Sequence, residues 1–413
     1  MVTGWKVGLL VLLAVSSTFA ATMSLDPLPW DNTTNKAAIG RAVAATSDGS
    51  SVYVAGYTRN ADNAQRAAYW TLSGGTVGAP MILPGNTAGT VASNAYGVDV
   101  LSDGSLVISG NLAGGTSDWC NKAGYTGGSG NGWTTRLVSK TQASVSGQAN
   151  LVRVGTDGHT FYNVGKNSAS TAGYNFIVDP NVGSGNTRAT TPTLSSGTVQ
   201  GVSSTGLMVG ETRVSTIRRA FVCNLAGTMT LLPGVPERTD QGTQGYGISA
   251  DGNTVAGLGY WTDTDTYNFP LYWTNDDGTW NVHKLGQLPT QTSSSNCYAV
   301  NQNGTVLVGT GYPDATRGTI GVFWETNVLD DQGRPKAVVL RDFLVSKGVS
   351  LTGWGELRAL YSATTVGGKT YIVGDGDWTG DGATITRSFI AVIPEPATLA
   401  LLAIGLPLLR RRS

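Results

Sequence analysis

Carboxylates come first among groups that can do chemistry here, because the chain is poor in other catalytic side chains. Only two histidines occur in 413 residues, His159 and His283. His159 follows the glycine of a predicted hairpin turn and His283 sits in a predicted strand ending at Leu285, so both read as solvent-facing. Four glutamates stand in the body: Glu211, Glu237, Glu325 and Glu356. A glycosidase or polysaccharide lyase needs two carboxylates held across one sugar linkage, and sequence separation alone sets no such distance. Neither a Gly-x-Ser-x-Gly elbow nor a His-Glu-x-x-His helix is present, which removes two common hydrolase classes. The densest acidic run is Asp375-Gly376-Asp377-Trp378-Thr379-Gly380-Asp381-Gly382. Oxygen ligands at alternate positions suit Ca²⁺, but the position of the bidentate Glu holds Thr386. The run therefore reads as a polar hairpin loop, with Asp375, Asp377 and Asp381 the weak metal candidates and no cofactor expected otherwise.

Indoles are the second resource. Trp119, Trp133, Trp261, Trp280, Trp354 and Trp378 lie in or beside Gly-, Asp- and Thr-rich connections. Exposed rings among polar groups make platforms for sugars or protein partners, although tryptophan equally anchors packing between sheets. Trp119, Trp133, Trp261 and Trp378 are taken as the candidate ligand-binding set. Three cysteines, Cys120, Cys223 and Cys297, show no metal-ligand spacing and read as buried small hydrophobes.

Charged residues make up 13% of the chain, with Lys+Arg and Asp+Glu equal at 27 each, and 57 residues are glycine. Such a neutral, turn-rich composition excludes a nucleic-acid binder, which carries a basic stripe. Hydrophobic content of 40% is enough to bury a core.

The elements that must position these side chains are visible as repeats. Six segments share one frame ending in a turn glycine: Gly49, Gly104, Gly158, Gly206, Gly252 and Gly304. Each has an aliphatic residue or alanine four positions earlier, namely Ala45, Val100, Val154, Val202, Ile248 and Val300. The glycines are 55, 54, 48, 46 and 52 residues apart, and a looser seventh copy ends at Gly367-Gly368. After each turn comes a short apolar unit closed by glycine, from Val54-Ala55-Gly56 to Ile372-Val373-Gly374. Asp-Gly and Asn-Gly between β-branched runs are hairpin chemistry. A third unit such as Tyr69-Trp70, Phe221-Val222 or Tyr272-Trp273 follows, and often a fourth with leucine and proline, as in Leu231-Leu232-Pro233.

Four short strands per repeat of about fifty residues predict an all-β fold, a β-propeller of about seven four-stranded blades. The last copy ends near Val392 without a fourth strand, while Leu25-Asp26-Pro27-Leu28-Pro29 supplies one, so the N-terminal strand is expected to close the ring. The Gly-rich stretch from Leu112 to Gly132 reads as an insertion, which leaves six or eight blades open, with Trp133–Val138 in the place of the third unit. The small-aliphatic turn, the Val-x-Gly strand end, Ala220-Phe221, Tyr272-Trp273 and the Leu-Pro unit together resemble the extracellular HAF repeats. That resemblance spans nearly the whole body and implies no activity.

The ends describe a route. Lys6, the apolar Val7–Val15 and the small-x-small exit Thr18-Phe19-Ala20 read as a secretory signal peptide over 1–20. The other end runs Pro394-Glu395-Pro396, an apolar stretch Ala397–Leu409, then Arg410-Arg411-Arg412. Thirteen helical residues reach about 20 Å, short of a bilayer core of about 30 Å. The arginines stay cytoplasmic and put everything before Pro394 on the outer side. This tail resembles the PEP-CTERM sorting signal of exported bacterial proteins. The resemblance implies transient anchoring in the inner membrane, processing by an exosortase-type enzyme and a producer of extracellular polysaccharide. The expected organisation is therefore 1–20 signal, 21–392 propeller and 393–413 sorting signal. The expected role is a non-enzymatic cell-surface or matrix binding or structural module, its partner an extracellular polysaccharide or surface protein. The alternative is a propeller-fold polysaccharide-acting enzyme.

Overall fold

The computed structural model describes residues 23–31, 36–84, 92–112, 115–120, 134–137, 149–158, 160–166, 173–178, 186–188, 197–238, 242–260, 268–289, 291 and 293–394. Strands dominate these residues and fall into seven antiparallel sheets. Each sheet opens with an inner strand. In chain order these are Ala38–Ala45, Ser93–Val100, Ala149–Val154, Gly197–Val202, Thr243–Ile248, Asn296–Val300 and Trp354–Val366. Every inner strand pairs with the strand that follows its turn. The turn glycines have the left-handed backbone that the Asp-Gly signals foretold: φ is 70° at Gly49, 83° at Gly252 and 74° at Gly304.

Packing is between sheets. Seven apolar clusters lie among the described residues, each joining one sheet to its neighbour. Val209, Ala220 and Leu232 of the fourth sheet meet Ile248, Val255 and Trp273 of the fifth. Trp70 and Val54 of the first sheet meet Val373 and Ile390 of the seventh, so the packing returns to its start. On one face the hairpin turns are joined edge to edge. Ser102 N donates to Gly158 O at 2.9 Å, Thr156 N to Ser204 O at 3.1 Å, Ser204 N to Ala250 O at 2.9 Å and Ala250 N to Gln302 O at 3.0 Å. The Gln302 side chain continues the belt by accepting from Thr365 N at 3.0 Å.

The N-terminal strand is Ser24–Pro27, paired antiparallel with Ile385–Pro394 at the outer edge of the seventh sheet. The expected pairing of N-terminus with last repeat is thus present, starting one residue before Leu25 and ending two before Pro29. Leu28 and Pro29 do something else. Leu28 is buried, with its N–H donating to Ser388 O at 2.9 Å, and Pro29 O accepts the indole N–H of Trp70 at 2.7 Å. Other Leu-Pro units repeat the device where an outer strand ends: Met81–Ile82 pairs with the third strand of the first sheet, and Leu231 pairs with Phe221 of the fourth. Leu232 and Leu285 are buried after the fourth strands Met229–Leu231 and Thr279–Lys284. Trp273 Nε1 donates to Pro233 O and Trp324 Nε1 to Gly286 O, both at 2.8 Å.

Two expectations need correction. The Gly-rich stretch of the second repeat is not wholly an insertion: Gly115–Cys120 pairs with Leu106–Leu112 as the third strand, and Thr134–Leu137 is the fourth. Its sequence, Gly-Thr-Ser-Asp-Trp-Cys, lacks the aliphatic alternation that marks the other third strands. The second omission is a short α-helix, Leu340–Ser346, between the sixth and seventh sheets. Leu340 and Leu344 are buried, and Arg317 ties Asp342 to Glu356 with contacts of 2.8 and 3.0 Å.

In five of the second strands the glycine that ends the apolar unit, Gly56, Gly210, Gly257, Gly309 or Gly374, is sterically required. Each inner strand slips register by one residue opposite the glycine that ends the apolar unit. A Cβ on Gly309 would sit 1.9 Å from Asn296 O, and one on Gly257 2.0 Å from Gln244 O. Gly309→Ala is therefore expected to cost about 3 kcal/mol or more in denaturant unfolding. Gly78→Ala, which meets only Thr71 O at 3.6 Å, stays within about 0.5 kcal/mol.

Candidate functional site

A β-bulge sets one extra residue into a strand and re-aims its side chain. The register slips at one corresponding place in all seven inner strands, the seventh slipping at two further places, and the residues at the shared slip are Arg41, Tyr96, Asn150, Gln200, Tyr246, Tyr298 and Tyr361. Arg41, Tyr96, Gln200, Tyr246, Tyr298 and Tyr361 line a single cavity of about 110 Å³ where the inner strands converge. Arg153 joins them, and among the described residues no Asp or Glu lines the cavity. The pocket is thus walled by four phenol rings, one amide and two guanidinium groups.

Three of the phenols are held from behind. Tyr361 Oη donates to Asp375 Oδ2 at 2.5 Å, and the Arg41 guanidinium lies over the Tyr361 ring at 4.5 Å. Tyr246 Oη donates to Gln244 Oε1 at 2.6 Å; the Gln244 amide donates to Glu211, which pairs with Arg218 at 3.3 Å. Tyr298 Oη accepts from Asn296 Nδ2 at 3.1 Å, and its ring meets Tyr246 edge-on with centroids 5.7 Å apart. Burial pushes the hydroxyls of Tyr96, Tyr246 and Tyr361 above the usual phenol range, so they stay neutral donors near pH 7. Burial also raises the Asp375 carboxyl, against the opposing pull of the Tyr361 hydroxyl and Arg41.

The residues singled out in the sequence lie elsewhere, with one exception. Asp375 and Asp377 belong to the strand Lys369–Trp378, not to a loop. Asp375 stands behind Tyr361, Asp377 pairs with Arg358 at 2.5 Å, and Asp381 accepts the Trp378 indole N–H at 2.8 Å. The three carboxylates are thus engaged separately, and no group of three His, Cys, Asp or Glu among the described residues is placed to hold a metal ion. Trp378 meets Trp354 edge-on at 5.0 Å and lies 4.7 Å from the Arg387 guanidinium. Trp354 is buried. Trp119 lies on the strand Gly115–Cys120; Trp133, Trp261, His159, residues 1–22 and everything from Glu395 through Pro396 to Arg410, Arg411 and Arg412 lie outside the described residues. Pro394 ends the last strand.

Among the glutamates, Glu211 pairs with Arg218, Glu237 with Lys284 at 3.2 Å and Glu356 with Arg317, while Glu325 ends the third strand of the sixth sheet. Cys223 and Cys297 are free and buried, and burial raises both thiols, Cys223 to about 11. Among the described residues no helix is long and apolar enough to cross a membrane.

The axial tyrosines escaped the sequence reading although a signal was present. A large polar residue stands between small ones in Gly40-Arg41-Ala42, Ala95-Tyr96-Gly97, Gly245-Tyr246-Gly247 and Cys297-Tyr298-Ala299.

A second cavity, of about 340 Å³, opens on the flank between the fifth and sixth sheets. His283 lines it, stacked on Tyr272 at 4.7 Å with Nε2 2.8 Å from Thr274 Oγ1, rather than facing solvent freely. Glu237, Lys284 and Arg334 surround it, Arg334 bound to Asp330 at 2.9 Å.

No family model matches the chain, and no curated protein matches it. Solved structures do. An oligogalacturonate lyase from Vibrio parahaemolyticus is 12% identical with a TM-score of 0.53, covering 91% of this chain and 98% of that one. An oligogalacturonate lyase in complex with manganese is 13% identical with a TM-score of 0.50, covering 90% and 91%. TolB from Acinetobacter baumannii is 11% identical with a TM-score of 0.41 over 84% of this chain, which spans 65% of that protein. The lyases are β-propeller proteins, and likeness at such identities speaks for the fold alone.

Burial holds His283 below the ordinary histidine range, with Asp276 opposing. A depressed folded-state value contributes stability above the unfolded value of about 6.5 that is lost as pH falls through the folded one. Thermal melts from pH 7 to pH 5 should show a loss that is smaller in His283→Gln.

Proposed function

We propose that the chain is an exported, non-enzymatic binding module: a closed propeller of seven four-stranded blades whose ligand enters at the axial pocket. The observation that carries the reading is the convergence of the bulged residues. The same one-residue slip recurs in every inner strand and brings four tyrosines, Gln200 and Arg41 to one cavity. A repeat that merely closes a ring has no need of a bulge aimed at the axis.

The chemistry of that wall favours binding over catalysis. Phenols held above their ordinary range donate hydrogen bonds but are poor bases, and the glutamates Glu211, Glu237 and Glu356 are neutralised by Arg218, Lys284 and Arg317. Flat aromatic faces with hydroxyl and amide donors between them suit a sugar ring, whose C–H face packs on an aromatic while its hydroxyls exchange hydrogen bonds. The ligand we propose is the end of an extracellular polysaccharide or a glycan on a surface protein. The N-terminal leader and the Pro394-Glu395-Pro396 tail with Arg410-Arg411-Arg412 support export, transient inner-membrane anchoring and processing by an exosortase-type enzyme.

Retention of the purified chain on the producing cell's exopolysaccharide should fall about tenfold in Tyr298→Ala, with an unchanged melting temperature. Trp378→Ala should not change it. Release of reducing ends or unsaturated products from the same glycan would replace this reading with the enzymatic one. Mass spectrometry of protein stripped from the cell surface should give an N-terminus at Ala21 and a C-terminus upstream of Arg410.

A further inference from the structure

The axial pocket presents two guanidinium groups: Arg41 and Arg153 line it, and among the described residues the carboxylates nearest to them, Asp375 and Asp99, stand behind its wall rather than in it. Arg153 has a distant partner, Asp99, at 4.0 Å, and Asp99 also accepts the backbone N–H groups of Val100 and Val154 at 3.0 and 2.8 Å. Even so, Arg153 Nε is buried without a hydrogen-bond acceptor. Arg41 makes no salt bridge among the described residues; its guanidinium carbon lies over the Tyr361 ring, 4.5 Å from the centroid. The carboxylate behind that ring, Asp375, is occupied by the Tyr361 hydroxyl.

A guanidinium stacked on an aromatic face keeps its in-plane N–H groups free, and that fork matches the two oxygens of a carboxylate. A buried donor with no acceptor is destabilising, a cost that a bound anion removes. At about 110 Å³ the cavity is below the usual range of ligand pockets, so it admits the carboxylate end of a terminal sugar and not a polymer passing through.

We infer that the axial pocket is specific for a carboxylate-bearing sugar, a uronic acid at a chain end, with Arg41 gripping the carboxylate, Arg153 completing the charge and the tyrosines packing on the ring. This inference rests on the axial-pocket reading above and adds the charge of the ligand to it.

Sodium D-glucuronate and D-glucose differ only in the oxidation state of C6, so the pair isolates that charge. Calorimetric titration of the full chain should show glucuronate binding at least about tenfold more tightly than glucose, and less tightly as sodium chloride is raised. Arg41→Gln should bring glucuronate down to the level of glucose. Arg41→Lys, which keeps the charge and loses the fork, should recover only part of the difference. Melting curves for both variants, each matching the parent, show that the pocket is intact. Equal affinity for the two sugars, undisturbed by Arg41→Gln but abolished by Tyr298→Ala, would overturn the carboxylate inference and leave the axial pocket standing. Glucuronate binding that survives both Arg41→Gln and Tyr298→Ala would overturn the two together, as would an absence of binding by either sugar.

Discussion

Everything at the axis depends on a steric constraint one strand away from it. An inner strand can carry a bulge only where the neighbouring strand leaves room for the displaced carbonyl, and that room is the missing Cβ of one glycine. The distances are severe: a methyl on Gly56, Gly210 or Gly309 would stand 1.8–1.9 Å from the facing carbonyl oxygen. Such a contact cannot be relieved by a rotamer change, because both atoms belong to backbone. Gly56, Gly210, Gly257, Gly309 and Gly374 are therefore less about flexibility than about where the next side chain points. A residue that by strict alternation would face a neighbouring sheet faces the centre instead.

The same frame explains how the ring holds together without a single core. Each sheet is covered on both faces by its neighbours, so the apolar surface is divided among interfaces rather than pooled. Between the sheets a small relay repeats: a buried leucine closes the end of one sheet and the carbonyl next to it accepts an indole N–H from the following one. Trp70 takes its acceptor from Pro29, Trp273 from Pro233 and Trp324 from Gly286. The first of these crosses the chain's own seam, since Pro29 follows the strand that completes the seventh sheet. Arg387 reinforces it, donating to Leu28 O at 3.0 Å while its guanidinium stacks on Trp30 at 3.9 Å. The N-terminal segment is thus held by a hydrogen-bonded strand, a buried leucine, an indole and a stacked cation together.

What could be read in the sequence was what repeats by composition. Turn glycines, strand ends and the indole units recur as residue types, so the repeat, its length and the role of the N-terminus were visible. The third strand of the second sheet was not, since Gly-Thr-Ser-Asp-Trp-Cys looks like a loop by composition and is ordered by its neighbours. Asp375-Gly376-Asp377-Trp378 misled in the same way: a glycine–aspartate run suggests a turn, whereas here it continues a ten-residue strand. The axial pocket was hidden for a different reason. Its residues are Arg41, Gln200 and tyrosines in nonequivalent local sequences, and the slip that aims them inward breaks the alternation by which a strand's faces are assigned. Only the pairing register shows that Tyr96, Tyr246, Tyr298 and Tyr361 occupy one structural position.

That common position also accounts for the sign of charge at the axis in a chain with no net charge. The acidic groups near the centre stand one layer back. Asp375 accepts from Tyr361, and Glu211 lies behind Tyr246 through Gln244 and is paired with Arg218. Set there, each carboxylate orients a phenol so that its ring rather than its charge faces the cavity. The basic groups are not set back: Arg41 occupies the bulge itself, and Arg153 lines the same wall. Desolvation is tolerable for a guanidinium that spreads its charge and stacks on an aromatic, and far less so for an unpaired carboxylate, which takes up a proton instead. A pocket built from phenols with acids behind them and arginines among them is therefore positive by construction, although the whole chain is neutral.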